Sequence, residues 1–531
     1  MMNIADLLHI IHPLQTNGHF DGKPGKLVLD SRHVKKDDVF IALRGTRSDG
    51  HHFISEAIRR GAAVIIAEHI PDEHSKTPHH DTDAENGPLY IQVADTRHIA
   101  GELAQAFAGY PARRLKMTGI TGTNGKTTVS TLVYQVLQTL GYNTGLLGTV
   151  ETRIGDRVME SHLTTPDPVS LAGTLKKMVS KDTAFAVMEV SSHALEQQRV
   201  GGIRFDVGAF TNLSRDHLDY HRDMDAYVEA KQRLFLSLDS DAIAVINRDD
   251  PSAHKVIEEC QARIWDFGFE NNKDFRILDE SPEGMVLDLD GTIVSTPLAG
   301  RYNAYNVAQA YLICLALGCT KGSVASALGE ARGAAGRLER VKPEGYDDDD
   351  LTPAVLESAP SVFVDYAHTP DALENVLQAL TAVRTEGVTL HVVFGCGGDR
   401  DTTKRPEMGQ IADQYADVIT LTSDNPRTED PDAIIRDIRQ GIVRGDRLYI
   451  QPDRRKAIRS AVLDADTSTV VLVAGKGHET YQEVHGRRRK FDDRKVAGKA
   501  IAEWIERRDS KKRRQKQRNG RNDNESKKEV R

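Results

Sequence analysis

Residues 116–140 combine a short strand-like run, a glycine-rich loop and an amphipathic helical pattern. The run Lys116-Met-Thr-Gly-Ile-Thr121 leads into Gly122-Thr-Asn-Gly125, and apolar side chains then recur at helical spacing from Thr128 to Leu140. In this order the elements form half of a βαβ unit, whose loop and helix N-terminus present backbone N–H groups to an anion. We therefore predict an α/β fold with a mainly parallel sheet here.

Lys126 and Thr127 follow the loop directly and extend its likeness to a Walker A motif. In that motif the lysine reaches the β- and γ-phosphates and a hydroxyl ligates magnesium. The strict pattern has glycine six residues before the lysine, where this chain has Ile120. A glycine-rich turn without a ligand is the alternative, but the position between strand and helix favours phosphate binding.

The 531 residues exceed one compact core, and ordinary domain sizes predict two to four domains, with three as the first expectation. Strand-like runs alternate with helical patterns in three segments, residues 1–112, 113–336 and 337–506. The clearest runs are 38–43, 63–67, 185–190, 207–211, 242–246, 361–365, 389–394, 417–421 and 469–474. Polar or proline-rich segments at 71–88 and 343–360 are predicted to lie on the surface.

Composition excludes several classes of protein. The 39% hydrophobic and 28% charged residues are typical of soluble globular chains. The N-terminus has no signal-peptide pattern, and no apolar run is long enough to span a membrane. Four cysteines without C-x-x-C spacing indicate neither a zinc site nor a disulfide framework, so we predict a cytoplasmic protein.

Residues 507–531 form a basic tail, with twelve Lys or Arg against four Asp or Glu. Its lack of apolar residues predicts disorder, because it cannot bury enough surface to offset the entropy of ordering. A solvated tail is the interpretation we favour, since the segment has neither interleaved aromatic residues nor an amphipathic period. Binding to RNA or to an anionic membrane surface is the alternative.

Side chains suited to magnesium follow two predicted strands. Glu189 lies at the end of a buried apolar run, where a carboxylate is costly unless it is paired. His217 comes just after the run 207–211, at the edge of an α/β sheet where ligands usually bind. As isolated residues, His217 and His221 are more typical of structural histidines.

Eight motifs strengthen these hypotheses. They are TGTNGKTT (121–128), TTPDP (164–168), MEVSSHAL (188–195), DHLDYH (216–221), DYAHTPDAL (365–373), GCGGDRD (395–401), DNPR (424–427) and AGKGHE (474–479). In order and spacing the chain resembles the Mur ligase family up to about residue 500. The resemblance implies an N-terminal α/β UDP-binding domain, a central P-loop ATPase with a mainly parallel sheet, and a C-terminal Rossmann-like amino-acid-binding domain.

The resemblance also implies an activity. The chain is similar in particular to family members that add meso-2,6-diaminopimelate to UDP-N-acetylmuramoyl-L-alanyl-D-glutamate in peptidoglycan precursor synthesis. ATP is the co-substrate, Mg²⁺ the cofactor and an acyl phosphate the intermediate.

Site residues carry over from the matching motifs. The ATP-binding positions are Gly122, Thr123, Asn124, Gly125, Lys126, Thr127, Thr128, Asn247, Asn303, Asn306, Arg337 and Asp365. The metal positions are Thr127, Glu189, His217 and Lys231, and the catalytic ones are Lys126, His217 and Lys231. Lys231, which is a surface lysine on sequence grounds alone, matches the lysine that the family carboxylates to N6-carboxylysine. Before Gly336-Arg337 the family commonly has proline, where this chain has Ala335.

Two substrate sites follow in the same way. The UDP-substrate positions are Ser31, Thr164, Thr165, Ser191, Gln197 and Arg199. The diaminopimelate positions are Arg400, Asp424, Asn425, Arg427, Gly475 and Glu479. Diaminopimelate has a distal carboxylate that lysine lacks, and a guanidinium at Arg427 suits it because it binds a carboxylate bidentately. A surface proline turn is the alternative for residues 424–427.

Two other functions stay open. Folylpolyglutamate synthase shares the phosphate loop and carboxylate activation, although residues 424–427 and the full N-terminal segment argue against it. A nucleotide-gated binding protein whose basic tail docks on nucleic acid is the alternative from another class.

Overall fold

A computed structural model describes residues 2–45, 48–70, 87–161, 163–216, 220–270, 274–281, 284–346, 359–384 and 387–526. The chain divides into two compact units. The first comprises residues 1–276, 288–294 and 305–331, and the second comprises 277–287, 295–304 and 332–531. Most of both predicted surface segments, 71–86 and 347–358, lies outside the described residues.

A five-stranded sheet forms the N-terminal part of the first unit, in the order β1-β5-β4-β3-β2. Only β1 runs antiparallel to its neighbour. The strands are β1 (Gln15–Asn17), β2 (Leu27–Val28), β3 (Val39–Ile41), β4 (Val64–Ala67) and β5 (Leu89–Gln92), and the helices are α1 (Ile4–Ile11), α2 (Ile54–Arg59) and α3 (Thr96–Ala108). Fully buried β3 and β4 carry apolar side chains on both faces, as strands covered on both sides do.

The central sheet has eight strands in the order β13-β12-β11-β6-β10-β7-β8-β9. The first six of these are parallel, and β8 and β9 continue as an antiparallel meander. The strands are β6 (Lys116–Thr121), β7 (Thr144–Leu147), β8 (Glu151–Ile154), β9 (Arg157–Glu160), β10 (Phe185–Glu189), β11 (Val207–Phe210), β12 (Ile243–Asn247) and β13 (Arg263–Phe267). The predicted parallel sheet is confirmed, whereas the meander was not predicted.

Helices connect and cover the central strands. They are α4 (Lys126–Thr139), α5 (Pro168–Val179), α6 (Ser192–Glu196), α7 (Met224–Leu236), α8 (Ala253–Val256), α9 (Arg301–Ala316) and α10 (Lys321–Glu330). A three-stranded sheet, also not predicted, consists of β14 (Phe275–Ser281), β15 (Gly284–Leu289) and β16 (Thr292–Thr296).

The second unit is built on a six-stranded sheet in the order β17-β18-β22-β19-β20-β21. Its strands are parallel except for β17. They are β17 (Glu339–Arg340), β18 (Ser361–Asp365), β19 (Thr389–Phe394), β20 (Val418–Leu421), β21 (Leu448–Ile450) and β22 (Thr469–Ala474), followed by the hairpin β23 (Tyr481–Val484) and β24 (Arg487–Lys490). The helices are α11 (Pro370–Val383), α12 (Lys404–Tyr415), α13 (Pro431–Arg439), α14 (Arg454–Leu463) and α15 (Asp493–Ser526).

Helix α15 extends into the segment that the sequence analysis treats as the basic tail. It begins on the core of the second unit, where Val496, Ala500 and Ile501 are buried, and continues to Ser526. Packing of the first turns supplies the costly helix nucleus, and each further residue then adds a hydrogen bond at little expense. Lys, Arg and Gln, which dominate the continuation, are good helix formers. Residues 527–531 lie outside the described residues.

None of the helices in the described part of the chain is both long and apolar enough to cross a membrane. Cys260, Cys314, Cys319 and Cys396 are free thiols.

Candidate active site

Those predicted nucleotide residues that belong to the first unit gather at one edge of the central sheet. Strand β6 lies between β10 and β11, and β12 follows β11. The carboxyl edge of the sheet therefore carries four features. They are the phosphate loop after β6, Glu189 at the end of β10, Thr211 after β11 and Asn247 at the end of β12. This is the edge at which parallel α/β sheets bind ligands.

Two glycines shape the phosphate loop. Gly122 has φ of 146°, and a Cβ there would collide with the side chain of Thr211. Gly125 has φ of 86°, and a Cβ would lie 2.5 Å from Oδ1 of Asn306. Lys126 folds over the loop and donates to the carbonyls of Gly122 and Thr123, each at 2.8 Å. The ammonium of Lys126 is thus held by two backbone carbonyls of the phosphate loop.

Glu189 is the acidic group of this edge, and its side chain is completely buried. The Thr127 hydroxyl donates to its Oε2 at 3.0 Å. Thr149 donates twice, from its backbone N–H to Oε1 at 2.7 Å and from its hydroxyl to Oε2 at 2.9 Å. Burying a carboxylate is unfavourable unless its oxygens accept hydrogen bonds. Three neutral donors, from Thr127 and Thr149, therefore compensate for the burial of Glu189.

Lys231 is buried, contrary to the surface position expected from sequence alone. It is 1% exposed, its Nζ donates to the Gly122 carbonyl at 2.9 Å, and the Tyr227 ring lies 4.2 Å from Nζ. Burial, reinforced by the nearby ammonium of Lys126, lowers the pKa of Lys231 well below its usual value. A neutral amine is the form of lysine that reacts with carbon dioxide.

Three of the four asparagines predicted for the nucleotide site are buried, and each makes different contacts. Asn247 donates from Nδ2 to the Thr211 carbonyl at 2.9 Å, and its Oδ1 accepts from the backbone of Asp249 at 3.1 Å. Asn306 lies against Gly125. Asn303 falls in the second unit and donates to the Ala299 carbonyl at 2.8 Å. Asn306 thus lies at the phosphate loop, and Asn247 contacts Thr211, whose side chain lies against Gly122.

Residues predicted for the UDP substrate form a second group beside Glu189. The Thr165 hydroxyl donates to the Glu189 carbonyl at 2.8 Å and accepts from the backbone of Ser191 at 3.1 Å. Arg199 donates to the Thr165 carbonyl at 2.8 Å and to Oε1 of Gln197 at 2.8 Å. Burial lowers the pKa of Arg199, against the raising effect of Asp167.

The two other residues predicted for the UDP substrate, Thr164 and Ser31, lie in different places. The Thr164 and Thr149 hydroxyl oxygens lie 3.0 Å apart, so Thr164 is linked to Glu189 through one side chain. Ser31 belongs to a separate set of contacts on the N-terminal part, where its hydroxyl donates to Glu56 at 2.9 Å.

Of the two histidines considered in the sequence analysis, His217 and His221, the structure describes only His221. His217 lies outside the described residues. His221 is buried, its Nε2 lies 2.9 Å from the Ser192 hydroxyl and its Nδ1 lies 3.1 Å from Glu196. His221 therefore has the satisfied contacts of a structural histidine.

The predicted amino-acid site occupies the carboxyl edge of the sheet in the second unit. Asn425 donates to Oε2 of Glu479 at 2.8 Å, and Lys476 donates to both residues, at 3.0 Å to Asn425 and 2.6 Å to Glu479. Gly475 has φ of 115°, and a Cβ there would lie 2.5 Å from Oδ2 of Asp424. Two loops, 424–427 and 475–479, are thereby brought together.

Arg427 and Arg400 flank Gly397 in the same site. A Cβ on Gly397 would lie 3.0 Å from a terminal nitrogen of Arg427 and 3.9 Å from Cγ of Arg400. Arg427 has φ of 52°, which is uncommon for a residue with a side chain, and donates to the Gly398 carbonyl at 2.5 Å. Strained backbone held by surrounding contacts is typical of functional sites.

Arg337 and Asp365, predicted on the nucleotide, lie together in the second unit. Burial raises the pKa of Asp365, and Arg337 together with the backbone donors Leu338 and Ala367 opposes that rise. The guanidinium of Arg337 stacks 4.7 Å from the Tyr366 ring centre, and its Nε is buried without a hydrogen-bond partner.

Two site residues were missed from the sequence. Thr149 was not singled out because a threonine between two strands carries no signal of its own. Lys476 stands inside AGKGHE, which was recognised, but only its neighbours were assigned.

The described oxygen donors suit magnesium, which prefers hard ligands. Within the described ranges, three or more His, Cys, Asp and Glu side chains do not gather as a closed metal cluster. The Thr127 hydroxyl instead donates to the Glu189 carboxylate at 3.0 Å.

Sequence models of known domains match three parts of the chain: residues 26–108 ("Mur ligase family, catalytic domain"), 120–314 ("Mur ligase middle domain") and 354–477 ("Mur ligase, glutamate ligase domain"). The UDP-N-acetylmuramoyl-L-alanyl-D-glutamate–2,6-diaminopimelate ligase of Cytophaga hutchinsonii is 39% identical over 93% of this chain and 98% of its own. Its counterpart from Geobacillus thermodenitrificans is 42% identical over 91% and 96%.

A solved structure of a ligase with the same name is also similar, with a TM-score of 0.64 and 33% identity over 93% of this chain and 98% of that one. The three α/β domains predicted from the motifs are confirmed by these matches. The chain belongs to the Mur ligase family of ATP-dependent ligases.

Proposed function

We propose that this chain adds meso-2,6-diaminopimelate to UDP-N-acetylmuramoyl-L-alanyl-D-glutamate with hydrolysis of ATP to ADP and phosphate. The observation that carries the proposal is the amino-acid site of the second unit, where Arg400 and Arg427 flank Gly397 and Asn425 contacts Glu479. Two guanidiniums suit the distal carboxylate of diaminopimelate, and the acids suit its ammonium. The relatives' names support the same substrates.

In the nucleotide site, Lys126 would exchange its two carbonyl partners for phosphate oxygens of ATP. The donor carboxylate, the D-Glu side chain, attacks the γ-phosphorus, the bond to the β-phosphate oxygen breaks, and ADP leaves. The acyl phosphate is the product of this step. Lys126 neutralises charge that develops on the transferred group, and Asn247 and Asn306 hold the nucleotide beside the loop.

Mg²⁺ is part of the proposal. The ion would be held by Thr127, Glu189, His217 and a carboxylated Lys231. When bound, the ion would neutralise negative charge on the phosphates. The contact between Thr127 and Glu189 and the burial of Lys231 support this assignment.

The second step joins the amine to the activated carbon. The UDP substrate would be oriented by six residues, Thr164, Thr165, Ser191, Gln197, Arg199 and Ser31. ATP would be contacted by Arg337 and Asp365. The unprotonated amine of diaminopimelate attacks the acyl carbon and a tetrahedral intermediate forms. The nitrogen then loses a proton, the C–O bond to phosphate breaks, and phosphate leaves with that proton. Such multi-substrate chemistry suits domain closure during the cycle.

We place the reaction in the cytoplasm, where free thiols persist.

A direct test is ADP release by the purified chain with the UDP dipeptide substrate and meso-diaminopimelate. Release that requires both substrates is expected, together with a product heavier by one diaminopimelate residue. ADP release that ignores the amine would contradict the proposal.

Gly475→Ala is expected to raise the KM for meso-diaminopimelate about tenfold. The new Cβ would press on the Asp424 carboxylate, and small displacements in a substrate site cost one to two orders of magnitude. Steady-state kinetics with varied amine measures the change.

Gly486→Ala is the matched control. Gly486 also has positive φ, 69°, but a Cβ there meets nothing within 4 Å. Both variants should lose about 1–2 kcal/mol of stability from backbone strain. Equal KM values for the amine in the two variants would contradict the role given to Gly475.

Removal of dissolved carbon dioxide is expected to lower kcat roughly tenfold, with recovery on adding bicarbonate. Because burial lowers the pKa of Lys231, the fraction of neutral amine that can form a carbamate is larger than for an exposed lysine, and acid decreases that fraction. The Lys231→Arg variant should be nearly inactive and insensitive to bicarbonate. Full activity of the parent chain in carbon-dioxide-free buffer, with unmodified Lys231 by mass spectrometry, would refute carboxylation.

A further inference from the structure

A fully buried ion pair lies beneath the two loops of the amino-acid site. Arg454, the first residue of α14, donates from Nε to Oδ1 of Asp493 at 2.8 Å and from a terminal nitrogen to Oδ2 at 2.6 Å. Both side chains are 0% exposed. Asp493 is the first residue of α15, so the pair joins the starts of two helices.

The same guanidinium contacts the residue that precedes each loop of the site. One terminal nitrogen donates to the Ala474 carbonyl at 2.9 Å, and the other donates to the Ser423 carbonyl at 3.3 Å. Ala474 directly precedes Gly475, and Ser423 directly precedes Asp424. One side chain therefore fixes the spacing between the residues from which loops 424–427 and 475–479 begin.

Backbone contacts reinforce this arrangement. Ser423 donates to the Pro452 carbonyl at 3.4 Å, and Phe491 donates to the Thr480 carbonyl at 3.0 Å. The segments that carry Arg454 and Asp493 thus also pair with the residues that adjoin the two loops.

Charge and shape make arginine the fitting residue. A bare cation or carboxylate buried at this depth is unfavourable, so each partner requires the other. The planar fork of arginine serves a bidentate carboxylate and two carbonyls at once, whereas a lysine ammonium is a single point with three donors.

We propose that Arg454, held by Asp493, is a positioning residue that sets the geometry of the acceptor amino-acid site. Arg454 does not touch the substrate; it acts through the loops that carry Asp424, Arg427, Gly475 and Glu479. This inference rests on the proposed function for the identity of the amine. It assigns to α15 a role in the active site, because its first residue anchors the pair.

The test compares Arg454→Lys with Arg459→Lys in the full chain. Arg459 also joins α14 to α15, through Glu503 at 2.6 Å, but it is half exposed and contacts neither loop. We expect Arg454→Lys to raise the KM for meso-diaminopimelate about tenfold or more, with the KM for ATP nearly unchanged. Arg459→Lys should leave both values unchanged.

Asp493→Asn provides a second route if Arg454→Lys does not fold. It should raise the same KM, because the guanidinium loses its charged anchor. A lower melting temperature or kcat with an unchanged KM for the amine, in whichever of the two variants is recovered, would overturn the proposal, because a purely structural residue behaves so.

Hydrogen exchange of the substrate-free proteins separates this inference from the proposed function. Residues 424–427 and 475–479 should exchange faster in Arg454→Lys or Asp493→Asn than in Arg459→Lys. If the parent chain shows no ligase turnover, the proposed function fails while this comparison still decides the positioning role. Equal exchange in all variants would overturn it.

Discussion

Replacing Arg427 with alanine is expected to lower kcat/KM for meso-diaminopimelate about 100-fold, the loss of roughly 3 kcal/mol from one charged partner. In the structure the side chain is half-buried and fixed by its donation to Gly398, while its backbone pairs with Glu483 and His485 on the adjacent hairpin. The guanidinium is therefore already in place before a carboxylate arrives. Initial rates with varied amine measure the loss.

Selectivity is the sharper readout of this variant. Because L-lysine has no distal carboxylate, its kcat/KM should change by no more than about twofold in Arg427→Ala. Arg488→Ala is the matched control, since Arg488 is an exposed arginine of the same hairpin that pairs with Glu483. An equal loss for both amines would mean that Arg427 supports the loop without recognising the substrate.

Glu189→Gln is expected to lower kcat by about three orders of magnitude, or about 4 kcal/mol. Glutamine has nearly the same shape and retains an oxygen for Thr127 or Thr149, so the fold should persist while the negative charge is lost. The measurement is kcat over a magnesium titration, in which the variant should also require more metal.

Thr149→Val controls for the hydrogen bonds alone. It removes one donor to the same carboxylate and leaves the charge, so kcat should fall less than about tenfold. A Glu189→Gln variant as active as Thr149→Val would remove Glu189 from the metal site.

The core strands were predictable because burial on both faces leaves continuous apolar runs. Strand β18 matches its predicted range of 361–365, and β10 differs from the prediction by one residue. The meander β8–β9 and the small sheet β14–β16 left no such signal. Strand β9, for example, is Arg157–Glu160, in which only two of four residues are apolar and the side chains are largely exposed.

The site was predictable from its motifs but not in its contacts. Lys231 is flanked by polar residues in α7 and therefore resembles a surface lysine, whereas the fold buries it against the Gly122 carbonyl and Tyr227. Thr149 and Arg454 lie far in sequence from the groups that they hold. Only the tertiary arrangement of strand ends brings them together, so local patterns cannot identify them.

The central claim is that this ligase selects diaminopimelate. The most direct measurement is mass spectrometry of the product formed from ATP, UDP-N-acetylmuramoyl-L-alanyl-D-glutamate and an equimolar mixture of meso-diaminopimelate, L-lysine and L-glutamate. The diaminopimelate adduct should dominate. A predominant glutamate adduct would favour chemistry like that of folylpolyglutamate synthase, and comparable amounts of all three adducts would contradict the selectivity assigned to Arg427.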